Sequence, residues 1–207
     1  MPRISDERRA ANRTTIIDAA RHCFARDGFH QTSMPDLAAE AGISAGAFYR
    51  YFTGKDEVVR EIAREAFVGV GAAVAALLEQ TSAPSVADVL VAVVAALDAP
   101  SFPGGPADDR SPSRVEDQFR CAVQAWGETL RDPGLRAEAA AGIDHVAGQV
   151  AAALARGQQA GRVPPQLDPA DGARLVVTVL PGLVVGRTVL GHDSAALLRA
   201  ARALLDG

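Results

Sequence analysis

Side chains suited to contacting a nucleic acid lie close together in the N-terminal part of the chain. Tyr49 and Arg50 stand side by side, and Lys55, the only lysine of the chain, follows soon after. Phenol, guanidinium and ammonium groups contact phosphate oxygens, and an arginine also pairs with guanine edges in a major groove. These residue types indicate recognition of a polyanion by hydrogen bonds and charge.

Four small residues precede these groups: Ser44, Ala45, Gly46 and Ala47. Short side chains at the start of a helix let its backbone come close to base edges, and alanine methyl groups fit the methyl group of thymine. If the segment is a helix that enters a groove N-terminus first, these residues lie deepest. Direct base reading then rests on few contacts, and DNA shape supplies further specificity.

Cap and turn residues predict two short helices around these groups. Ser33 with Asp36 is the pattern of a capping box, a glycine ends the first helix, and Ser44 caps the second. We expect the helices near 34–41 and 45–51. Helix, tight turn and helix is the arrangement that places a second helix in a major groove.

The flanks of this segment add further candidates for phosphate contact. Thr32 and Ser33 offer hydroxyl and N–H groups at the start of the first short helix. Four arginines suggest either a minor-groove arm or a solvated face: Arg3, Arg8, Arg9 and Arg13. The charge is distributed accordingly, because residues 1–55 carry a net charge of +2 and residues 56–207 a net charge of −6.

Helical periodicity and cap residues divide the remaining chain into further helices, about nine in all, and no convincing strand is found. The sequence therefore predicts an all-α fold. We expect a helix-turn-helix DNA-binding domain over residues 1–55 and a larger helical ligand-binding and dimerisation domain over 56–207. Residues 99–113 contain four prolines and two glycines, which predicts a surface loop.

The expected limits of the longer helices follow from their caps. Thr53 with Asp56 is expected to cap the fourth helix, and Ser85 with Asp88 the fifth. Aspartate followed by proline opens the seventh and eighth helices. The expected spans are about 6–26, 54–80, 85–97, 113–130, 133–160 and 169–190, with a ninth helix from residue 194.

Composition fits a globular protein. Hydrophobic residues make up 48% and charged residues 22% of the chain. Cys23 and Cys121 both lie in helical patterns, which favours reduced core thiols and a cytoplasmic protein. No secretory signal is expected, and the longest apolar run, Leu175 to Gly186, is too short to cross a bilayer. We expect no cofactor, no metal ion and no membrane partner.

Adjacent reactive residues do not predict an enzyme. His22 with Cys23, and Asp144 with His145, are neighbours in predicted helices, so their side chains point about 100° apart. The sequence contains no nucleophile elbow, phosphate loop or metal-spaced cluster. We therefore expect no catalytic residues.

A specific order of residues runs from Arg13 to Val58. Its members are Ile17-Asp18-Ala19-Ala20, Phe24, Gly28-Phe29, Thr32, Leu37-Ala38, Ala41-Gly42-Ile43-Ser44, Gly46, Phe48-Tyr49, Tyr51-Phe52 and Lys55-Asp56-Glu57. This pattern resembles the DNA-binding domain of the TetR family of bacterial transcriptional regulators and covers about a quarter of the chain. The resemblance implies that Tyr49 and Lys55 contact the phosphate backbone. Ala47 stands where the family often has threonine.

The resemblance also implies that the later helices surround a cavity for a small, mostly apolar effector. The apolar candidates for its lining are Phe67, Phe119, Val123, Trp126 and Val146. The polar candidates that orient the effector are Gln124 and His145.

The last two helices are expected to form a two-fold interface. The predicted eighth helix is apolar nearly all round, which is the pattern of a helix buried both in a bundle and against a partner. The interface candidates are Leu183, Val184, Leu197, Leu198 and Leu204. A dimer lets two helix-turn-helix units read half-sites about 34 Å apart.

These features predict a homodimeric transcriptional regulator, most simply a repressor. A small effector is expected to release it from a palindromic double-stranded DNA operator by favouring a conformation in which the fourth helix has moved. Two alternatives stay open. One is a helical protein of the same fold that binds a ligand or a partner without binding DNA, and the other is an activator.

Overall fold

The computed structural model describes residues 6–98 and 112–205, which form nine α-helices and no strand. The helices are α1 (Asp6–Asp27), α2 (Met34–Glu40), α3 (Ala45–Phe48), α4 (Lys55–Gln80), α5 (Val86–Asp98), α6 (Pro112–Arg131), α7 (Pro133–Gln159), α8 (Pro169–Leu190) and α9 (Ser194–Leu205). The predicted all-α fold and the number of helices are confirmed. Most of the predicted loop, residues 99–111, lies outside the described residues.

Local capping explains why most helices begin where the sequence predicts. The Ser33 hydroxyl accepts the N–H of Asp36 at 3.3 Å, and the Asp36 carboxylate accepts the N–H of Ser33 at 2.8 Å, so the capping box is present. Ser85 and Asp88 form the same reciprocal pair before α5. Asp168 accepts two backbone N–H groups at the start of α8.

Two helix starts differ from the prediction. The N–H and the hydroxyl of Thr53 both donate to the carboxylate of Glu57, at 2.7 and 2.9 Å, whereas Asp56 was the expected partner. Because α4 begins at Lys55, the side chain one residue beyond Asp56 is the one that reaches back to Thr53. Helix α6 begins at Pro112, one residue early, since proline is already set for the first helical position.

The chain folds into two compact units. The first unit contains the described residues 6–65 and 112–136, and the second contains 66–98 and 137–205. This grouping differs from the predicted division after residue 55. The difference arises because α6 packs along α1 and because α4 continues past the helix-turn-helix segment.

The first unit has an apolar core built from α1, α2, α3, α4, α6 and the first turn of α7. Its buried members include Ile16, Ile17, Phe24, Leu37, Phe48, Phe52, Val58, Ile62 and Leu135. Cys23 and Cys121 are free and buried, as predicted, and burial raises the pKa of each thiol to about 11. Arg21 is also buried, and its guanidinium reaches the Glu65 carboxylate of α4 at 2.7 Å.

The second unit has its own core, formed by α5, α7, α8 and the later turns of α4. Its buried members include Val70, Val74, Val89, Val93, Val146, Val150, Leu154, Val163 and Val176. Glycines let neighbouring side chains come close. A Cβ at Gly172 of α8 would lie 2.9 Å from Cδ1 of Leu154 on α7, so this contact depends on the missing side chain.

Candidate nucleic-acid interface

Helix α3 is a single turn that ends at Phe48, three residues before the expected end near residue 51. The chain then continues in turns, because the N–H groups of Arg50 and Tyr51 donate to the carbonyls three residues earlier, those of Ala47 and Phe48, at 3.2 and 2.8 Å. Tighter bonds of this kind replace the regular helical pattern. Tyr49 and Arg50 therefore lie just after α3 and not within it.

The aromatic residues of this segment separate into buried and exposed groups. Phe48 and Phe52 are fully buried, and their ring centroids are 5.9 Å apart. Tyr49 is 53% exposed, and Arg50 is exposed as well. The buried rings thus anchor α3 on the core and leave the phenol and the guanidinium accessible.

The small residues also present an accessible surface. Ser44, Ala45 and Gly46 are exposed, while Ala47 is half-buried. The Ser44 hydroxyl accepts the N–H of Ala47 at 3.2 Å, which confirms it as the N-cap of α3. With Tyr49 and Arg50, these residues form an accessible surface around α3, which we call the α3 face.

Tyr51 behaves differently from Tyr49. Its hydroxyl accepts a hydrogen bond from Nδ2 of Asn12 at 2.9 Å, and its carbonyl accepts one from Nη1 of Arg13 at 3.2 Å. Both bonds tie the turn after α3 to α1. Of the two tyrosines, only Tyr49 is therefore turned outward for contact with another molecule.

Of the two interpretations of the N-terminal arginines, the minor-groove arm is not supported for those that the structure describes. Arg8, Arg9 and Arg13 lie inside α1, which begins at Asp6. The Arg13 guanidinium is 3.2 Å from the Glu61 carboxylate and stacks over the Phe52 ring at 4.3 Å. It is therefore part of the internal packing. Arg3 lies outside the described residues.

Thr32 does not fit the predicted contact through its hydroxyl. Its residue is only 1% exposed, and the hydroxyl donates to the carbonyl of Gly28 at 2.7 Å. The interpretation as a phosphate ligand is therefore wrong for this side chain. The sequence position before α2 suggested a free hydroxyl, but the turn after α1 folds back and buries it.

The start of α2 is poorly suited to an anion. Ser33 gives both its N–H and its hydroxyl to the Asp36 carboxylate, at 2.8 and 2.6 Å. These bonds hold the pKa of Asp36 below its ordinary value, so a negative charge occupies this helix end. Pro35 removes a further donor. The expected phosphate contact of Ser33 remains a prediction that this charge opposes.

Lys55 has partners inside the first unit. Its Nζ donates to the carbonyl of Phe29 at 2.9 Å and to the carbonyl of Thr32 at 2.8 Å, and it lies 4.7 Å from the centroid of the Phe29 ring. The ammonium therefore fastens the turn between α1 and α2 to the start of α4. An ammonium has three N–H donors, so one is left for a phosphate.

Gln124 is a clamp within the first unit, and its predicted role in orienting an effector is wrong. Its Nε2 donates to the carbonyl of Phe24, and its Oε1 accepts the N–H of Phe29, both at 2.8 Å. The turn between these residues contains Gly28 at φ +88°, a conformation that favours glycine. The void that this side chain lines has a volume of only about 10 Å³, which leaves no room for an effector beside it.

The other predicted pocket residues of α6 belong to the first unit. Phe119 is buried, Val123 is half-buried and Trp126 is 37% exposed. An adjoining void, lined in part by Phe24 and Cys121, has a volume of about 10 Å³, which is room for roughly one water molecule. It is too small for an organic effector.

The remaining predicted pocket residues belong to the second unit. Val146 is buried in its core, and the half-buried Phe67 packs its ring directly on Gly142 of α7. His145 is exposed, so it does not point into the core, and its predicted role there is wrong. An open cleft of about 530 Å³ lies elsewhere in this unit, lined by Leu77, Gln80, Thr81, Ala83, Asp88 and Arg162.

Helices α8 and α9 expose a long set of apolar side chains. These are Leu175, Val179, Val185, Val189, Leu190, Leu197, Leu204 and Leu205. Leu204 is 83% exposed, while Leu183 and Leu198 are half-buried. Val184 is buried against its own unit, so it is not available to a partner and its place among the interface residues is wrong.

Helix α8 is, among the described residues, the one helix long and apolar enough to cross a bilayer. Its 22 residues extend beyond the apolar run on which the sequence prediction rested. Helices buried in globular proteins or at their interfaces share this composition, so one such helix does not indicate a membrane protein.

Comparisons with known proteins agree with this architecture. Residues 16–62 match the model of bacterial regulatory proteins of the tetR family, and residues 106–207 match that of the C-terminal part of BetI-type transcriptional repressors. The chain belongs to the TetR family. The first match covers α2 and α3 together with parts of α1 and α4, which is the segment that carries the α3 face.

Individual relatives of this TetR-family chain are similar over different lengths. An HTH-type transcriptional repressor of Mycobacterium tuberculosis is 38% identical over 65 residues, 31% of this chain. The match spans about a third, 35%, of that relative's length. The regulator UidR of Escherichia coli is 24% identical over 172 residues, which is 83% of this chain and 79% of UidR.

A solved structure extends the likeness to the fold as a whole. The transcriptional regulator FadR from Bacillus subtilis, in complex with stearoyl-CoA, superposes with a TM-score of 0.72. It shares 19% identity and covers 93% of this chain, with 96% of FadR covered in return. At this identity the comparison shows that the two proteins share a fold.

Proposed function

We propose that this TetR-family chain is a DNA-binding transcriptional regulator, most simply a repressor. The single observation that carries the proposal is the α3 face. Tyr49 and Arg50 are exposed there, while Phe48 and Phe52 hold the segment on the core. The relative from Mycobacterium tuberculosis, itself named a repressor, is similar to the chain over a stretch of 65 residues.

The contacts that we propose follow from exposure. The Tyr49 hydroxyl binds a phosphate oxygen, Arg50 binds a phosphate or a guanine edge, and Ser44, Ala45 and Gly46 approach the bases. Lys55 keeps its two internal carbonyl partners and offers only its third donor. Specific binding then depends on fewer direct contacts than the sequence suggests, and DNA shape supplies part of the discrimination.

We propose that the regulator acts as a homodimer in the cytoplasm, where its operator is found. The exposed apolar side chains of α8 and α9, such as Leu175 and Leu204, are the kind of surface that a second copy covers. A two-fold dimer presents two α3 faces to a palindromic operator. Leu183, Leu197, Leu198 and Leu204 remain our candidates for this interface.

We propose further that a small, mostly apolar effector releases the operator by favouring one conformation of the protein. FadR from Bacillus subtilis, which shares the fold, is bound to stearoyl-CoA, a molecule with a long apolar chain. Within the second unit, we place this effector in the apolar core around Phe67 and Val146.

Footprinting on DNA from the region upstream of the protein's own gene tests the proposal. We expect protection of a palindromic site, with unrelated DNA of equal length competing at least about a hundredfold less well. Equal competition by the two DNAs, or no protection at all, would show that the chain is not a sequence-specific DNA reader.

A further inference from the structure

Helix α7 carries a polar side chain on the stripe that faces the core of the second unit. Gln149 lies between Val146, Val150 and Ala153, all of which are buried. Its Oε1 atom is buried and accepts no hydrogen bond from any residue that the structure describes. A buried amide oxygen without a partner is costly, so native cores normally provide one.

The position of this oxygen is set by a glycine on the facing helix. A Cβ at Gly71 of α4 would overlap Oε1 of Gln149 and would lie 3.2 Å from its Cδ and 3.3 Å from its Nε2. The amide therefore lies directly against the backbone of α4. Any larger residue at position 71 would displace it.

A second close contact joins the same two helices one helical turn earlier on α4. The Phe67 ring lies on Gly142 of α7, where a Cβ would overlap it. Position 142 is on the same stripe as Val146 and Gln149, since residues at helical spacings of four and three share a face. The apolar ring of Phe67 and the unpaired Oε1 acceptor of Gln149 thus occur together where α4 packs on α7.

We propose that Oε1 of Gln149 recognises the effector, and that the effector has an apolar body with one hydrogen-bond donor, a hydroxyl or an amide N–H. This inference rests on the proposed function, because it names the chemistry of the effector proposed there. The donor pairs with Oε1, and the apolar body packs against Phe67 and the valines of α4, Val70 and Val74.

The same chemistry disfavours other ligands. A ligand that offers only acceptors leaves Oε1 unpaired, and a carboxylate adds a charge to an apolar core. Binding between α4 and α7 also requires the Phe67 ring to leave Gly142. The ring belongs to α4, which begins in the first unit and ends in the second.

Two isomeric probes test the proposal in the full-length protein. Octanol and methyl heptyl ether have the same atoms, but only octanol carries a donor. By titration calorimetry we expect octanol to bind the wild-type protein about tenfold more tightly than the ether, the discrimination typical of one good hydrogen bond. Equal affinities, or no binding of either probe, would overturn the proposal.

Two leucine variants locate the effect. Gln149→Leu should bind both isomers with equal affinity, and Gln159→Leu, an exposed glutamine on the same helix, should keep the tenfold preference. Retention of the preference in Gln149→Leu would overturn the assignment. The melting temperature of ligand-free Gln149→Leu should rise, because an unpaired buried acceptor is removed, and a fall would show that Oε1 has a partner.

The DNA experiment is independent of this one. If the wild-type protein binds its operator but shows no preference for octanol, only the role of Gln149 is refuted. A clear preference in a protein that binds no DNA would support the role of Gln149 and refute the proposed regulation of transcription.

Discussion

Gln124 of α6 accepts the backbone N–H of Phe29 at 2.8 Å, across 95 residues of sequence. The same amide donates to the carbonyl of Phe24, so one side chain closes both ends of the turn that precedes α2. Helix α6 is thereby part of the unit that presents the α3 face. A movement of α6 would be transmitted to this turn directly.

Replacing Gln124 with leucine should therefore loosen the turn. Both backbone groups lose their partner, and we expect the free energy of unfolding to fall by about 2 kcal/mol. Amide hydrogen exchange should accelerate most at Phe29. Arg120→Ala, which removes an exposed side chain of the same helix, serves as the control. Unchanged exchange at Phe29 in Gln124→Leu would contradict the clamp.

Lys55 should contribute more to stability than to DNA binding. In Lys55→Met the carbonyls of Phe29 and Thr32 lose a charged donor, and we expect the free energy of unfolding to fall by about 2 kcal/mol in urea denaturation. If Lys55→Met kept the stability of the wild type but showed a smaller salt dependence of DNA binding, the Lys55 ammonium would bind a phosphate instead of the two carbonyls.

Acid should destabilise the first unit through its capping carboxylates. Hydrogen bonds from Ser33 lower the pKa of Asp36, and the backbone N–H of Thr53 lowers that of Glu57. A lowered pKa means that the stabilisation is complete above the unfolded pKa of about 4 and is lost as the pH falls through the folded value. Thermal melts at stepwise lower pH measure this loss.

Asp36→Asn provides the matched variant for the acid experiment. It should be less stable than the wild type at neutral pH and should lose less stability on acidification, because one of the titrating groups is gone. Parallel loss of stability in the variant and in the wild type would place the acid sensitivity in other groups.

The exposed apolar surface of α8 should mediate dimer formation. Leu175 and Val189 are both 65% exposed, and replacing each with glutamate places two charges where an apolar partner surface is expected. We expect a monomer in light-scattering chromatography. Leu130→Glu, at an exposed leucine of the first unit, should remain a dimer. A dimeric double variant would exclude this surface as the interface.

The sequence allows prediction where the interactions are local. Ser33 with Asp36, and Ser85 with Asp88, are three residues apart, so their type and spacing are enough to locate the helix starts. The exposure of Tyr49 agrees with the phosphate contact that the family resemblance implies. These features account for the correct fold class and for the α3 face.

Contacts between residues that are distant in sequence could not be predicted in the same way. Gln124 looked like a pocket residue, because nothing in its local pattern shows that two backbone groups of the turn after α1 satisfy its amide. Thr32 was predicted to contact a phosphate, because the local sequence does not show that the turn after α1 folds back and buries its hydroxyl. Gln149 gave no signal, since a lone glutamine on a helix is usually solvated.

The salt dependence of operator binding by Arg50→Ala tests the central claim, that the α3 face contacts DNA, most directly. Fluorescence anisotropy across a salt series gives the slope of the logarithm of affinity against that of salt concentration. We predict a slope smaller by about 1 than in the wild type and weaker binding, with Arg120→Ala unchanged. Identical affinity and slope in Arg50→Ala and the wild type would contradict the claim that this face binds DNA.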